Sequence, residues 1–584
     1  MCGIAGIIHK KENTASAENV ERMLNTLTKR GPDDSGVHTS SQCTLGQTRL
    51  SIIDLNTGHQ PIVDGDLSIT FNGEIYNFKE LRSEFESKGH IFKTNSDTEV
   101  ILKAYREYGQ ECPKHLDGMF SFAIWDDAKK ELFVARDRFG KKPLFYTEKD
   151  SYFVFASEIK ALFKSGILEK DCINKEALDD YFHFGYILPD KTIYQNIYPL
   201  LPAHTGTLID GVFSTTRYWA LEKKELDISY EDAKKKVREL LENAVQKRML
   251  ASDVEVGALL SGGVDSTYVS YLAQKHLNHP LKTFSVGYDW HKNELPFAEQ
   301  ASKIIGTDHY PLSVSADLKE ELKTVIKYLD EPHGDTSNFP QHLISKLTSE
   351  HVKVVLTGDG ADELFMGYGW YQITKYMPRW RLDWKILNSF QAYQKAISIF
   401  KKRMRKKIIK DYTPSNSVYK KIFKNLQDPS HKINIFDLSV YLPSQLLTKI
   451  DRTSMMHGLE ARAPFLDTDL AEFVYNLPTS FKMEGTKNKI ILKDLLAEIF
   501  PKEFVYRKKQ GFGAPIDQWL GEEKMREFVH TTLESENLMY SFIDKTSVLK
   551  IRDGFYAKKR NHSYKLWLLL SLALWFEYHE DTIL

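Results

Sequence analysis

The chain has 584 residues, 79 basic and 79 acidic side chains and a formal net charge of zero. Such a length predicts roughly two to four domains with sizeable cores, and the balanced charge excludes a whole-molecule field that draws in nucleic acid or an anionic membrane. The cysteines are Cys2, Cys43, Cys112 and Cys172, with no C-x-x-C pair, which argues against a disulfide framework or a zinc site and suits a reducing cytoplasm.

The chain opens on Met1-Cys2-Gly3-Ile4-Ala5-Gly6, without the basic region and long apolar run of a signal peptide. Removal of Met1 makes Cys2 the terminal residue, so that a thiol nucleophile and an α-amine base sit in one residue. The alternative is an ordinary small buried cysteine. Up to about Trp219 short β-rich runs at 2–8, 43–50, 67–72, 120–126, 131–137, 144–147 and 152–157 alternate with helical stretches at 17–28, 77–88 and 98–108. This predicts an α+β layer architecture of stacked antiparallel sheets. Within it, Arg49 to Asp54 offers a guanidinium for a carboxylate, Asn72-Gly73-Glu74 a side-chain amide beside a glycine N–H, and Ser96-Asp97 an acid for an amine. Together they describe a pocket for an α-amino acid with an oxyanion hole, although Asn72-Gly73 reads equally as a hairpin turn.

A polar stretch at 222–229 marks a linker before an amphipathic helix at 230–249. Apolar runs at 254–260, 281–288 and 353–357, each followed by a glycine-containing turn, predict a parallel sheet whose ligand sits at the carboxyl ends of its strands. The turn Ser261-Gly262-Gly263-Val264-Asp265-Ser266 opens a helix and has the make-up of a phosphate cradle, without the Gly-Lys-Ser/Thr ending of a kinase-type loop. A second turn, Thr357-Gly358-Asp359-Gly360-Ala361-Asp362-Glu363, puts acids directly after an apolar strand, and Asp265 and Asp362 suit a shared Mg2+ that neutralises a triphosphate. Lys487 to Lys493 and Arg507-Lys508-Lys509 offer cations for leaving phosphates, though alone they read as surface charge. From Tyr371 onward the pattern is mostly helical; the basic run 401–407 fits the solvated face of an amphipathic helix, and 566–576 is shorter than the ~20 residues of a membrane span.

With Arg30-Gly31-Pro32-Asp33, Gly58-His59-Gln60-Pro61, residues 135–146, Asp451-Arg452, 460–467 and 508–515, these motifs cover nearly the whole chain. In that order they resemble the glutamine-dependent asparagine synthetases. The resemblance implies an N-terminal-nucleophile glutaminase over 2–219 and an ATP-pyrophosphatase synthetase domain over 220–584 with a helical C-terminal part. It implies Cys2 as nucleophile, Asn72 and the Gly73 amide as oxyanion hole, Arg49 on the glutamine carboxylate, Asp97 on its amine, and Gly73 and Glu74 lining the pocket. In the second half it implies Leu259 and Val286 on the adenosine, Thr357 and Gly358 on the nucleotide, and Ser261, Gly262, Gly263, Asp265 and Ser266 on the pyrophosphate. Lys489 corresponds to a lysine near the α-phosphate, and Asp359 lies where the acyl acceptor reacts. Glutamine, ATP, Mg2+ and a carboxylate, with aspartate favoured, are the implied reactants, joined by an internal ammonia tunnel in a cytoplasmic enzyme, often a homodimer, with no nucleic-acid or membrane partner.

Asp359 replaces the glutamate of well-studied members, which leaves another carboxylate, a sugar uronic acid or a peptide side chain, as a competing acceptor. Lys29 and Met366 also depart from the pattern, away from the chemistry. A tRNA-modifying nucleotide α-hydrolase shares the phosphate loop but calls for a basic face and a cysteine in the second half, where there is none. A non-catalytic glutamine-binding module leaves the intact phosphate loop unexplained.

Overall fold

The computed structural model describes residues 2–11, 16–288, 293–314, 318–371, 393, 397–417, 419, 429–508, 514–558 and 562–584. The strands of the first half are β1 (Cys2–His9), β2 (Asp34–Thr39), β3 (Cys43–Arg49), β4 (Ile62–Asp64), β5 (Leu67–Ile75) and β6 (Gly118–Asp126). They continue with β7 (Glu131–Arg136), β8 (Phe145–Lys149), β9 (Tyr152–Ala156), β10 (Tyr198–Pro199), β11 (His204–Ile209) and β12 (Val212–Arg217). One sheet runs β10-β8-β9-β1-β3-β2 and the other β12-β11-β7-β6-β5-β4, all neighbours antiparallel. The expected stacked antiparallel sheets are therefore present, and β2, β4, β10, β11 and β12 are additions. β2 and β12 are partly or fully exposed and polar, such as Asp34-Ser35-Gly36, β4 and β10 are only three and two residues long, and β11 opens on His204-Thr205-Gly206-Thr207, so none carries a clear hydrophobic alternation.

Side-chain alternation decides what faces the space between the sheets. Along β1, Ile4 and Ile8 pack with Cys43, Leu45 and Trp125 inside the sandwich, whereas Ala5 and Ile7 pack outward on Val20, Met23 and Leu24 of the helix Ala17–Asn25. Cys2 shares the parity of Ile4 and so points inward. In β5, Ile69, Phe71 and Ile75 pack outward with Phe85 and Val100, which turns Thr70, Asn72 and Glu74 inward. Each buried isoleucine contributes ~1.5–3 kcal/mol, and a one-residue slip reverses every side chain, so the apolar residues lock these polar ones into place. Asn72-Gly73 lies within β5, paired with Ser121 and Phe120, and not in a hairpin turn.

The second half contains a parallel sheet of β13 (Val256–Leu259), β14 (Lys282–Tyr288), β15 (Asp308–Val314), β16 (Val354–Leu356) and β17 (Glu460–Arg462), in the order β15-β14-β13-β16-β17. From β13 the chain winds one way to β14 and β15, then returns to the other side for β16. The crevice at the carboxyl ends of β13 and β16 is thus a topological switch point, the usual ligand position in such sheets. β15, with Pro311 and half-exposed alternation, and β17, three residues within a helical region, are strands without a sequence signal. The helix Ser563–His579 is buried along residues 566–576, as its uniform apolarity predicts. Among the described residues no helix is long and apolar enough to cross a membrane. Much of 371–440 lies outside the described residues; of the basic run, the helix Lys402–Ile408 buries Arg405 and Ile408 and exposes Lys402, Arg403, Lys406 and Lys407.

Candidate active sites and the interface between them

Cys2 of β1 sits directly opposite Arg49 of β3 in the ladder, and both face Asn72 and Glu74 of β5 across the sandwich. The Cys2 backbone N–H donates to Asn72 Oδ1 at 3.1 Å. This bond fixes the orientation of the amide, leaving Asn72 Nδ2 as its free end, fully buried and without a hydrogen-bond partner. A buried donor left unsatisfied costs ~1–3 kcal/mol, and such a group calls for an explanation, a catalytic role among them. Gly73 has φ 151°, and a Cβ there runs into the Met119 carbonyl, so only glycine fits.

Arg49 is buried and held by its Nη2, which donates to the carbonyls of Ile53 at 2.9 Å and Asp54 at 2.8 Å. Asp97 begins the helix Asp97–Tyr108, and its Oδ2 accepts from the Ile75 N–H at 3.0 Å, so strand and helix meet at this acid. Burial pushes Asp97 up to about 6. Burial, with Glu460 nearby, pushes Glu74 well above the carboxylate range, and burial also raises the Cys2 thiol. Two buried acids with raised pKa values lie beside a thiol and an amide donor, a set of groups suited to a ligand that carries an ammonium.

At the switch point, Ser261 Oγ and Ser266 Oγ lie 3.0 Å apart, and the Gly263 N–H reaches Ser261 Oγ at 3.3 Å, folding the turn around the start of the helix Val264–Lys275. Gly262 takes φ 70°, and its Cβ position is 2.5 Å from the Phe297 main chain. A Cβ on Gly358 meets Asp265 at 3.0 Å, so the two turns touch. Lys489 Nζ bridges Asp265 Oδ2 at 2.6 Å and Asp362 Oδ1 at 2.7 Å. Burial opposes that charge, but the two carboxylates outweigh it and raise the lysine's pKa. Lys489 also adopts φ 50°, a conformation that a non-glycine residue takes at a cost of ~1–3 kcal/mol and that concentrates at functional positions.

Lys493 bonds Asn488 Oδ1 at 2.7 Å, and Lys487 lies in a two-residue ladder with Glu484. Arg507 Nη2 donates to the Gly262 carbonyl at 2.6 Å, while residues 509–513 lie outside the described residues. Leu259 ends β13 beside Phe284, two residues before Val286 on β14. Asp359 is raised by burial, against the pull of Lys449, which itself donates to Ser337 Oγ at 2.9 Å. Two carboxylates from adjacent strand ends that already share one cation fit a divalent ion bound largely by phosphate oxygens.

The pairing that joins the two centres is the part the sequence analysis missed. Arg30 is fully buried: its Nε donates to the Cys2 carbonyl at 3.2 Å, and its Nη atoms reach Glu158 at 2.9 Å and both oxygens of Asp451 at 2.8 and 3.0 Å. Arg452 continues the network to Glu158 at 2.7 Å and Asp330 at 3.2 Å. Breaking such a buried pair from one side costs ~3–5 kcal/mol. Close by, a cavity of about 20 Å³ is walled by Lys141 and Lys142 from the first half and by Thr357, Asp359, Ile450 and Ala463 from the second. Burial lowers Lys141 to about 7 and also lowers Lys142. Arg30 and Asp451-Arg452 stand out in the sequence as motifs, but a pairing across more than 400 residues has no local signature.

Residues 236–577 match the asparagine synthase family and residues 1–219 the glutamine amidotransferase domain family. Asparagine synthetase (glutamine-hydrolyzing) 1 of Bacillus subtilis is 32% identical, over 98% of this chain and 96% of its own. Asparagine synthetase (glutamine-hydrolyzing) 3 of the same organism is 32% identical over 100% of both chains. A putative asparagine synthetase (glutamine-hydrolyzing) of Mycobacterium tuberculosis is 31% identical over 98% of this chain and 97% of its own.

Proposed function

Because the chain belongs to the asparagine synthase family and carries a glutamine amidotransferase domain ahead of the synthase region, we propose that it converts aspartate to asparagine. In this reading the nitrogen comes from glutamine hydrolysed at Cys2, and the acceptor carboxylate is activated by ATP with release of AMP and pyrophosphate. The division falls at 219/220, with the glutaminase before it and the adenylating domain after it. The observation that carries the first half is the buried, unpartnered Asn72 Nδ2 held over Cys2 by the Cys2 N–H bond to Asn72 Oδ1.

The chemistry follows from these positions. With Met1 removed, the Cys2 amine takes the thiol proton, and the thiolate attacks the side-chain amide carbon of glutamine, whose carboxylate rests on Arg49 and whose ammonium rests on Asp97 and Glu74. Charge developing on the amide oxygen is met by Asn72 Nδ2 and the Gly73 N–H, each donor of this kind typically contributing ~10²–10³-fold. Ammonia departs and water clears the thioester. In the second domain Ser261, Gly262, Gly263, Asp265 and Ser266 cradle the pyrophosphate, Thr357 and Gly358 the α-phosphate region, and Leu259 and Val286 the adenosine. Asp265 and Asp362 would hold Mg2+, which when bound neutralises the triphosphate. Lys489, released from the carboxylates, follows the α-phosphate as the acceptor carboxylate attacks it. Asp359, raised by burial, is suited to take the proton lost by ammonia as it attacks the acyl-adenylate. The cavity by Lys142 and Asp359 is large enough for one water-sized molecule and is the proposed ammonia path.

A second acceptor reading rests on Asp359, a methylene shorter than the glutamate of well-studied members. The discriminating experiment supplies glutamine and Mg-ATP with aspartate, a uronic acid or an acidic peptide, and follows amide and nucleotide products. Asparagine with equimolar AMP supports the reading; amide on another acceptor alone replaces it.

A further inference from the structure

Arg462 occupies both centres at once. It is fully buried in β17, pairs with Leu356 of β16, and its carbonyl accepts the N–H of Thr357, the first residue of the acidic turn, at 2.8 Å. Its guanidinium points the other way. Nε donates to Glu460 Oε1 at 2.6 Å, and Nη1 donates to the carbonyls of Arg248 and Ala251 at 2.6 and 2.8 Å. Nη2 stands 3.5 Å from Glu74 Oε2, within ion-pair reach but beyond a good hydrogen bond. Neither Arg462 Nη2 nor Glu74 Oε2 has a hydrogen-bond partner, although both are buried. Glu74 lies two residues from Asn72 on the inward face of β5, and the Asp97 charge bears on it as well.

A guanidinium anchored by three bonds, with its fourth side turned to the carboxyl of one pocket and its main chain bonded to the turn of the other, fixes the distance between them. We propose that Arg462 is a positioning residue for both half-reactions: through Glu74 it sets the glutamine pocket, and through its carbonyl it sets Thr357 at the adenylation turn. This rests on the reading of the two pockets given above. It adds that the pockets share one rigid element, so a change at Glu74 or Arg462 is felt in both. A free lysine does not replace it, because a point cation cannot span Glu460, two carbonyls and Glu74 together.

Three variants test this: Arg462→Met, which keeps the stem volume, Arg462→Lys, which restores the charge, and Glu74→Gln, which cuts the glutamine-side arm and leaves Arg462 in place. Glutaminase turnover and, with aspartate and neither glutamine nor ammonia, ATP–pyrophosphate exchange are measured separately on the full chain. For Arg462→Met the expected result is a KM for glutamine at least 10-fold higher and a KM for ATP at least 5-fold higher, with kcat within about threefold, and Arg462→Lys recovers part of the glutamine effect only. For Glu74→Gln the KM for ATP rises at least twofold in the glutamine-free reaction, although Glu74 touches no nucleotide. A purely structural arginine lowers the amount of active protein and kcat in both assays and leaves both KM values alone; that result overturns the proposal. Should Arg462→Met fail to fold, an unchanged KM for ATP in Glu74→Gln overturns it by itself. Absence of exchange in the parent protein is a different outcome, which strikes the functional reading.

Discussion

Inside the antiparallel sandwich, Asn72 holds an unpartnered donor, and Glu74 and Asp97 are kept high by burial; at the open end of the parallel sheet, Asp265 and Asp362 already share the one cation of Lys489. The first pocket stores its unsatisfied groups in place, because strand register and flanking isoleucines leave them nowhere to turn. The second closes its charges on one another and must open them for a ligand. A rigid pocket is expected to lose rate when a group is deleted, whereas a self-paired one is expected to lose stability along with rate.

The sharpest break is Cys2→Ala. Glutamine-dependent amide formation falls more than ~10³-fold, while ammonia-dependent synthesis stays within about twofold, measured with saturating ammonium at pH 8.5. Loss of both activities makes the two pockets one catalytic unit and removes the contrast. Next, Asn72→Ala lowers glutaminase kcat by ~10²–10³-fold and moves the KM for glutamine by less than threefold, as befits a donor used as the oxyanion forms. A KM effect alone reassigns Asn72 to substrate binding.

On the other side, Lys489→Met lowers ATP–pyrophosphate exchange by about 10²-fold, an order-of-magnitude expectation for a cation serving the reacting phosphate. It also leaves Asp265 and Asp362 facing each other, so its melting temperature drops in metal-free buffer and recovers with millimolar Mg2+. Metal-independent melting contradicts the shared-cation reading.

The smallest effect concerns Asp97. Its folded-state value of about 6 lies above the ~3.9 of an unfolded aspartate, so the penalty on folding is absent below about pH 4, grows between about pH 4 and 6 and is complete above that. Asp97→Asn should therefore stabilise the ligand-free protein at pH 7.5 by at most ~3 kcal/mol, lose that gain by pH 4, and raise the KM for glutamine at least ~10-fold. Denaturant melts at the two pH values decide it, and destabilisation at pH 7.5 refutes the assignment of burial as the cause.

The same contrast marks what the chain reveals before it folds. Glycine-rich turns after apolar strands, Ser261 to Ser266 and Thr357 to Asp362, are local, and the crevice assembles where they predict. Asn72-Gly73 was ambiguous because a turn and a strand interior use the same dipeptide; it is resolved by outward packing of Phe71 and Ile75 on Phe85 and Val100, which no short window contains. β15 and β17 escape detection because neighbours, and not their own composition, make them strands. Arg30, Asp451 and Arg462 are legible as motif members, yet their partners lie hundreds of residues away, and only the folded chain shows them as the seam between two centres.

The most direct test of the central claim traces nitrogen. The mature enzyme is given glutamine labelled with 15N in its amide, Mg-ATP, aspartate and an excess of unlabelled ammonium, and the product amide and nucleotide are analysed together. Label retained in asparagine, with one AMP for each amide, is the predicted result. Label diluted to the level of the bulk ammonium, or ADP in place of AMP, contradicts a Cys2-released nitrogen passing to an adenylated carboxylate.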